Sequence, residues 1–169
     1  MLQIYCGNGK GKTTAAVGAA VRAAGAGMKT AFIQFLKDGS SSEINMLKKI
    51  GITVLFTDAC RKFTFQMNDE EKAEVTRCHN ELINEAKKLL SEGLDVLILD
   101  EFNAAYKLGL IDRENAADMI LSCRDSAEII LTGREPDKIF TDAADYISEI
   151  IPVKHPYEKG ISARKGIEY

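Results

Sequence analysis

Gly7-Asn8-Gly9-Lys10-Gly11-Lys12-Thr13-Thr14 stands between a short apolar run at 2–6 and an alanine-rich stretch at 12–25. The order is strand, glycine-rich turn, helix. Glycines at 7, 9 and 11 let the backbone curl, so that successive N–H groups face one concavity and approach phosphate oxygens closely. A helix beginning near Lys12 brings the positive end of its dipole to the same place. Lys12 adds a mobile ammonium, Thr13 a hydroxyl able to ligate Mg²⁺, and Lys10 and Thr14 further polar groups. The stretch reads as a P-loop for a nucleoside triphosphate. It departs from G-x-x-x-x-G-K-[ST] in that Cys6 occupies the place of the first glycine.

Outward from the loop, apolar runs alternate with amphipathic stretches. Strands are expected at 2–6, 30–35, 52–56, 96–99, 128–131 and 146–151, and helices at 12–25, 41–49, 69–91, 112–122 and 136–143. Short runs rich in Ile, Val and Leu suit a parallel sheet buried on both faces. The helix at 69–91 has Asn68 to cap it and Glu71 to complete a capping box. An acidic first turn and Lys87 and Lys88 near its end complement its dipole. Val75, Cys78, Leu82, Ala86 and Leu89 share one face. The fold class that follows is α/β: a three-layer α/β/α P-loop NTPase-like domain with a mostly parallel six-stranded sheet.

All 169 residues read as one domain, with no repeat or linker. The tail at 152–169 lacks helix or strand periodicity, and its mix of Tyr157, Ile161, Ile167 and Tyr169 with charges favours a segment laid across the site. A net charge of −3 argues against a general nucleic-acid-binding surface. The apolar runs are too short to cross a bilayer. The run at 2–6 already reads as a strand rather than a secretory leader, so a cytoplasmic location is expected. Cys6, Cys60, Cys78 and Cys123 form no C-x-x-C pair, and neither a disulfide framework nor a zinc site is expected.

A second constellation lies at Val96-Leu97-Ile98-Leu99-Asp100-Glu101, an apolar strand ending in two acids. Carboxylates at the carboxyl end of such a strand face the ligand crevice and bind Mg²⁺ directly or through water; the plainer reading is an acidic cap. Thr132-Gly133-Arg134 closes another strand at the same edge, with Arg134 placed either to steady a polyphosphate or to stand as a surface arginine. Phe63 and Phe65, in an irregular segment, are either core or an exposed apolar wall. His79 reads as packed or solvated rather than catalytic, His155 as a weak ligand candidate, and Cys6 as a small buried residue at a strand end.

These parts fix a triphosphate and little more, because kinases, switches and motors share them. The loop continued to Ala15-Ala16, Leu99-Asp100-Glu101-Phe102-Asn103, Thr132-Gly133-Arg134 and the tail Val153-Lys154-His155-Pro156-Tyr157-Glu158-Lys159-Gly160-Ile161, ending Lys165-Gly166-Ile167-Glu168-Tyr169, add more. Together, from about residue 2 to the end and in this order, they resemble the ATP:corrinoid adenosyltransferases of the CobA/CobO/BtuR type.

The resemblance implies transfer of the 5′-deoxyadenosyl group of ATP to the Co(I) of a corrinoid (cobalamin, cobinamide or cobyrinic acid a,c-diamide), with triphosphate leaving. It implies that Lys12, Lys10, Arg134 and the loop amides from Gly7 to Thr14 hold the triphosphate, and that Thr13 and Glu101, with Asp100 nearby, hold Mg²⁺ or Mn²⁺. ATP would lie reversed relative to other P-loop enzymes, presenting C5′ outward. The family's aromatic segment matches Phe63-Thr64-Phe65, where apolar side chains displace the lower ligand of cobalt and ease reduction of Co(II). A flavoprotein reductant and a homodimer are implied as well. Phe65 stands where family members carry tryptophan, and the sequence opens on the first strand where they carry an N-terminal extension that helps cover the corrinoid. The competing expectations are a P-loop small-molecule kinase or ATPase, which would release ADP, and a nucleotide-bound switch with no turnover.

Overall fold

The structure is a computed structural model and describes residues 1–60, 62, 64–156 and 160–167. Six strands, β1 (Leu2–Cys6), β2 (Thr30–Gln34), β3 (Thr53–Leu55), β4 (Val96–Asp100), β5 (Glu128–Thr132) and β6 (Tyr146–Glu149), form one sheet in the order β3-β2-β4-β5-β1-β6. Every pairing is parallel. Helices α1 (Lys12–Gly25), α2 (Glu43–Lys49), α3 (Asp69–Ser91), α4 (Phe102–Lys107), α5 (Arg113–Cys123) and α6 (Lys138–Ala143) make the crossovers. This is the three-layer α/β/α, P-loop NTPase-like architecture expected from the alternation of runs.

The alternation of side chains along each strand explains the layers. Leu2, Ile4, Ile33, Leu97, Leu99, Ile129 and Leu131 face one way, onto Leu82, Ile83 and Ala86 of α3, Phe102 of α4, Ile120 of α5 and Phe140 of α6. Phe32, Val96, Ile98 and Ile130 face the other way, onto Ala16, Ala20 and Ala23 of α1 and Ile44 and Leu47 of α2. Alanines at the buried positions of α1 let that helix lie close to the sheet, which fixes the loop ahead of it. All five residues of β4 are buried, as a central strand covered on both faces requires.

α3 begins as its sequence dictates: Asn68 accepts from the Glu71 N–H at 2.8 Å, and the Glu71 side chain accepts from the Asn68 N–H at 3.0 Å. Its buried stripe is Val75, His79, Leu82, Ile83 and Ala86. Cys78 and Leu89, expected on that face, are only half-buried, because the stripe drifts around a helix of 23 residues. α4 was not expected. It starts one residue after β4, where Glu101 adopts a left-handed φ of 58°, and no side chain caps it. Among the described residues of the tail, no α-helix or strand forms.

Candidate functional site

The carboxyl ends of β1, β2, β4 and β5 converge on Asp100. Its side chain is fully buried and accepts four hydrogen bonds. Oδ1 takes the hydroxyls of Thr13 at 2.8 Å and Thr132 at 2.7 Å. Oδ2 takes Gln34 Nε2 at 3.1 Å and Lys37 Nζ at 3.0 Å. Both oxygens are thereby engaged, and the acid joins the first turn of α1 to three neighbouring strand ends. β5 lies between the loop-bearing strand and β4, so Thr132 is the bridge: its oxygen also accepts the Glu101 N–H at 2.9 Å.

Glu101 is half-buried beside this hub. Burial, then the nearby Asp100 charge, raises its pKa above the ordinary carboxylate value, while Lys37, Lys12 and Arg134 pull it back. Burial lowers the Lys12 ammonium, with Arg134 adding to the effect and Glu101 and Asp100 opposing it. For Lys37, burial acts downward, but Asp100 and Glu101 outweigh it and the ammonium is held above its usual value. Three cations and two carboxylates thus share one electrostatic neighbourhood, although Arg134 is exposed.

The loop itself is tied down on one side. The Gly9 N–H donates to the Ile150 carbonyl at 2.7 Å, so that amide is already engaged. A Cβ at Gly7 or Gly9 would meet the Ile150 oxygen at 2.5 Å or 2.7 Å, which accounts for glycine at both positions. Gly7 and Gly11 also take positive φ values of 98° and 121°. Lys12 Nζ donates back to the Gly9 carbonyl at 2.9 Å.

On its other side the loop opens into a cavity of about 890 Å³. Thr13, Thr14 and Val17 form one wall, Leu36, Lys37 and Ser40–Ser42 another, and Cys60, Lys62 and Gln66 a third, with Gly166 and Ile167 of the tail at its edge. Lys10 turns away from this space and lines a separate cavity of about 340 Å³ with Lys154, His155 and Arg164. Phe65 is 81% exposed, next to Gln66 of the third wall. Phe63 lies outside the described residues. Asn8 is exposed, and Cys6 is buried at the end of β1.

Lys37, Gln34 and Thr132 complete the acidic hub but had not been singled out for it. Gln34 carried a signal, since it is the one polar residue in the otherwise apolar end of a doubly covered strand. Lys37 follows that strand at the same edge. Oxygen donors from Thr13 and Glu101, with Asp100 behind, suit a hard cation that keeps waters and substrate phosphates as its remaining ligands. Among the described residues, no group of three or more His, Cys, Asp or Glu is placed to hold a metal. No helix among them is long and apolar enough to cross a membrane.

Strand, loop and helix at β1–α1, with acids at the end of β4 bridged through Thr132, define a P-loop NTPase-like protein. A family model described as ATP:corrinoid adenosyltransferase BtuR/CobO/CobP matches residues 1–169, and the chain belongs to that family. A protein of Escherichia coli K12 named corrinoid adenosyltransferase is 33% identical over 168 residues, covering 98% of this chain and 84% of that one. Corrinoid adenosyltransferase CobA of Salmonella typhimurium LT2 is 32% identical over 167 residues, with the same coverage of 98% and 84%. Among solved structures, EssC (ATPases 2 and 3) from Geobacillus thermodenitrificans matches at a TM-score of 0.48 and 13% identity, over 98% of this chain and 34% of that one.

Proposed function

We propose that this protein transfers the 5′-deoxyadenosyl group of ATP to the Co(I) of a corrinoid, releasing inorganic triphosphate. The observation that carries the reading is a P-loop whose open side, at Thr13 and Thr14, gives onto a cavity of about 890 Å³ in a chain of this family. Its other side is closed by Ile150. A triphosphate in the loop with C5′ directed into that cavity would meet a second substrate there.

The reaction balances without an acid or base. A Co(I) electron pair attacks C5′, the Co–C bond forms as the C5′–O bond breaks, and the bonding pair leaves on triphosphate. Cobalt is formally oxidised by two electrons and the carbon is reduced. The protein's tasks are alignment and stabilisation of charge on the leaving group. Lys12, Arg134 and the loop amides other than that of Gly9 hold the triphosphate; Lys10, which lines the separate cavity by the tail, would have to swing back to join them. Thr13 and Glu101 would hold Mg²⁺ or Mn²⁺, with Asp100 orienting Thr13 from behind. When bound, the ion neutralises phosphate charge. Glu101 suits this role because a carboxyl disfavoured by burial gains from a cation beside it.

Phe65 would offer an apolar surface that displaces the lower ligand of cobalt, a role in which the sequence pairs it with Phe63. The same reading includes reduction of Co(II) by a flavoprotein, a homodimer, a cytoplasmic location and the tail at 152–169 covering the site. An anaerobic assay with ATP, Mg²⁺ and chemically reduced cob(I)alamin tests it, following the cobalt spectrum and the phosphate products together. A light-sensitive alkylcobalamin with one triphosphate per cobalt is expected. ADP without alkylcobalamin would return the protein to the kinases and ATPases.

A further inference from the structure

His79, in the middle of α3, is fully buried, yet its Nε2 contacts two residues, Leu36 and Cys60, that line the cavity beside the phosphate loop. Its Nδ1 lies 3.0 Å from the Leu110 carbonyl. A carbonyl only accepts, so Nδ1 carries the hydrogen and Nε2 of the neutral ring is an acceptor. Nε2 receives the Leu36 N–H at 3.3 Å and lies 3.6 Å from Cys60 Sγ. Burial pushes the His79 pKa down to about 4 and the Cys60 thiol up to about 11, so near neutrality the ring is uncharged and the sulfur keeps its proton. The Phe35 ring packs edge-on at 5.1 Å and fixes the imidazole plane.

Leu36 is one of two described non-glycine residues with positive φ, here 56°. A leucine holds that conformation only where its surroundings impose it. This turn delivers Lys37 to Asp100 and sends the chain along the cavity, which Cys60, packed against Leu36, also lines. A single ring nitrogen therefore ties together two segments distant in sequence, at Leu36 and Cys60, that pack against each other and both line the cavity.

We propose that His79 is a positioning residue of the adenosyl-transfer site. Its Nε2 locks the left-handed turn at Leu36 and the Cys60 segment together, and so sets Lys37 on Asp100 and the shape of the cavity side that the two segments share. The kinetic part of this inference rests on the function proposed above; the structural part does not.

Two substitutions separate the roles of the two nitrogens. His79→Asn keeps an N–H near the Nδ1 position for Leu110 but takes the ring-nitrogen acceptor away from Leu36, whereas His79→Gln carries an amide oxygen to the Nε2 position. In the ligand-free protein, His79→Asn is expected to speed hydrogen exchange of the Leu36 amide about tenfold, the equivalent of one ordinary hydrogen bond. The ATP dissociation constant and the KM for cob(I)alamin should each rise by roughly the same factor. His79→Gln should restore all three to within about threefold of the parent. Equal behaviour of the two variants, or faster exchange with unchanged substrate constants, would overturn the proposal.

If the parent protein makes no alkylcobalamin while the exchange and ATP-binding differences persist, the proposed reaction falls and the role of His79 stands. Should His79→Asn not fold, long-range ¹⁵N–¹H spectra of the parent decide. A ring protonated at Nδ1 alone supports the proposal, and one protonated at Nε2 cannot accept from Leu36 and overturns it.

Discussion

Lys37 Nζ stands 3.0 Å from Oδ2 of Asp100 and joins the loop after β2 to the end of β4 across a carboxylate with no exposed surface. Removing one member of a buried pair leaves the other charge uncompensated, at a typical cost of about 3–5 kcal/mol. Here Lys37 is 32% exposed and Asp100 keeps three other donors, which lowers the expected loss. Lys37→Met is therefore expected to destabilise the protein by about 2 kcal/mol in urea unfolding. Adding Asp100→Asn to that variant should recover most of the loss, since no buried charge is then left unpaired. A change below about 0.5 kcal/mol in Lys37→Met would mean that Thr13, Thr132 and Gln34 satisfy the carboxylate by themselves.

His79 gives stability a pH dependence with a definite sign. Its folded pKa is depressed to about 4 by burial, against 6.5 in an unfolded chain, so the unfolded state binds the proton more tightly. The stability it confers is complete above pH 6.5 and is lost as pH falls toward 4. The full loss across that window is about 3 kcal/mol. Urea midpoints measured from pH 7 to pH 4 should fall steeply in the parent and less in His79→Gln. Parallel curves would assign the acid sensitivity to other groups.

The layers and the loop were legible in the sequence because they rest on local signals. The unbroken apolar run of β4, the Asn68–Glu71 capping box and the glycine pattern before Lys12 each encode their own geometry. α4 was not legible: six residues, uncapped and entered through the left-handed Glu101, leave no periodicity to detect. The Asp100 hub was half legible. Thr13 and the acidic strand end were found by motif, but Gln34, Lys37 and Thr132 reach Asp100 only because the sheet order brings β2 and β5 to either side of β4. That order is a long-range property which no window of sequence carries. The pairing of His79 with Leu36 and Cys60 belongs to the same class.

Glu101 and Asp100 are adjacent in sequence but differ in what they can offer a cation. Both oxygens of Asp100 are engaged, whereas Glu101 is held against burial beside Lys12, Lys37 and Arg134. Glu101→Gln is accordingly expected to raise the Mg²⁺ concentration needed for half-maximal turnover by about 10- to 100-fold. The Mg²⁺ titration of initial rates checks this. An unchanged midpoint with lower maximal rate would remove Glu101 from the metal site and leave it acting on the substrate or on Lys12.

Phe65, 81% exposed beside the cavity, tests the cobalt side of the reaction. Phe65→Ala should change stability by no more than about 0.5 kcal/mol, as for other surface substitutions. If its ring displaces the lower ligand of cobalt, the variant loses the step that makes Co(II) reducible and keeps the alkyl transfer that follows. Turnover started from Co(II) with a reductant should fall about tenfold, equivalent to roughly 1.4 kcal/mol of barrier, while turnover from chemically prepared Co(I) should fall less than about twofold. Phe65→Trp, which enlarges the apolar face, should meet or exceed the parent in the Co(II) assay. Equal losses from both cobalt states would place Phe65 in corrinoid binding as a whole, and no loss from either would leave it a surface residue without a part in the reaction.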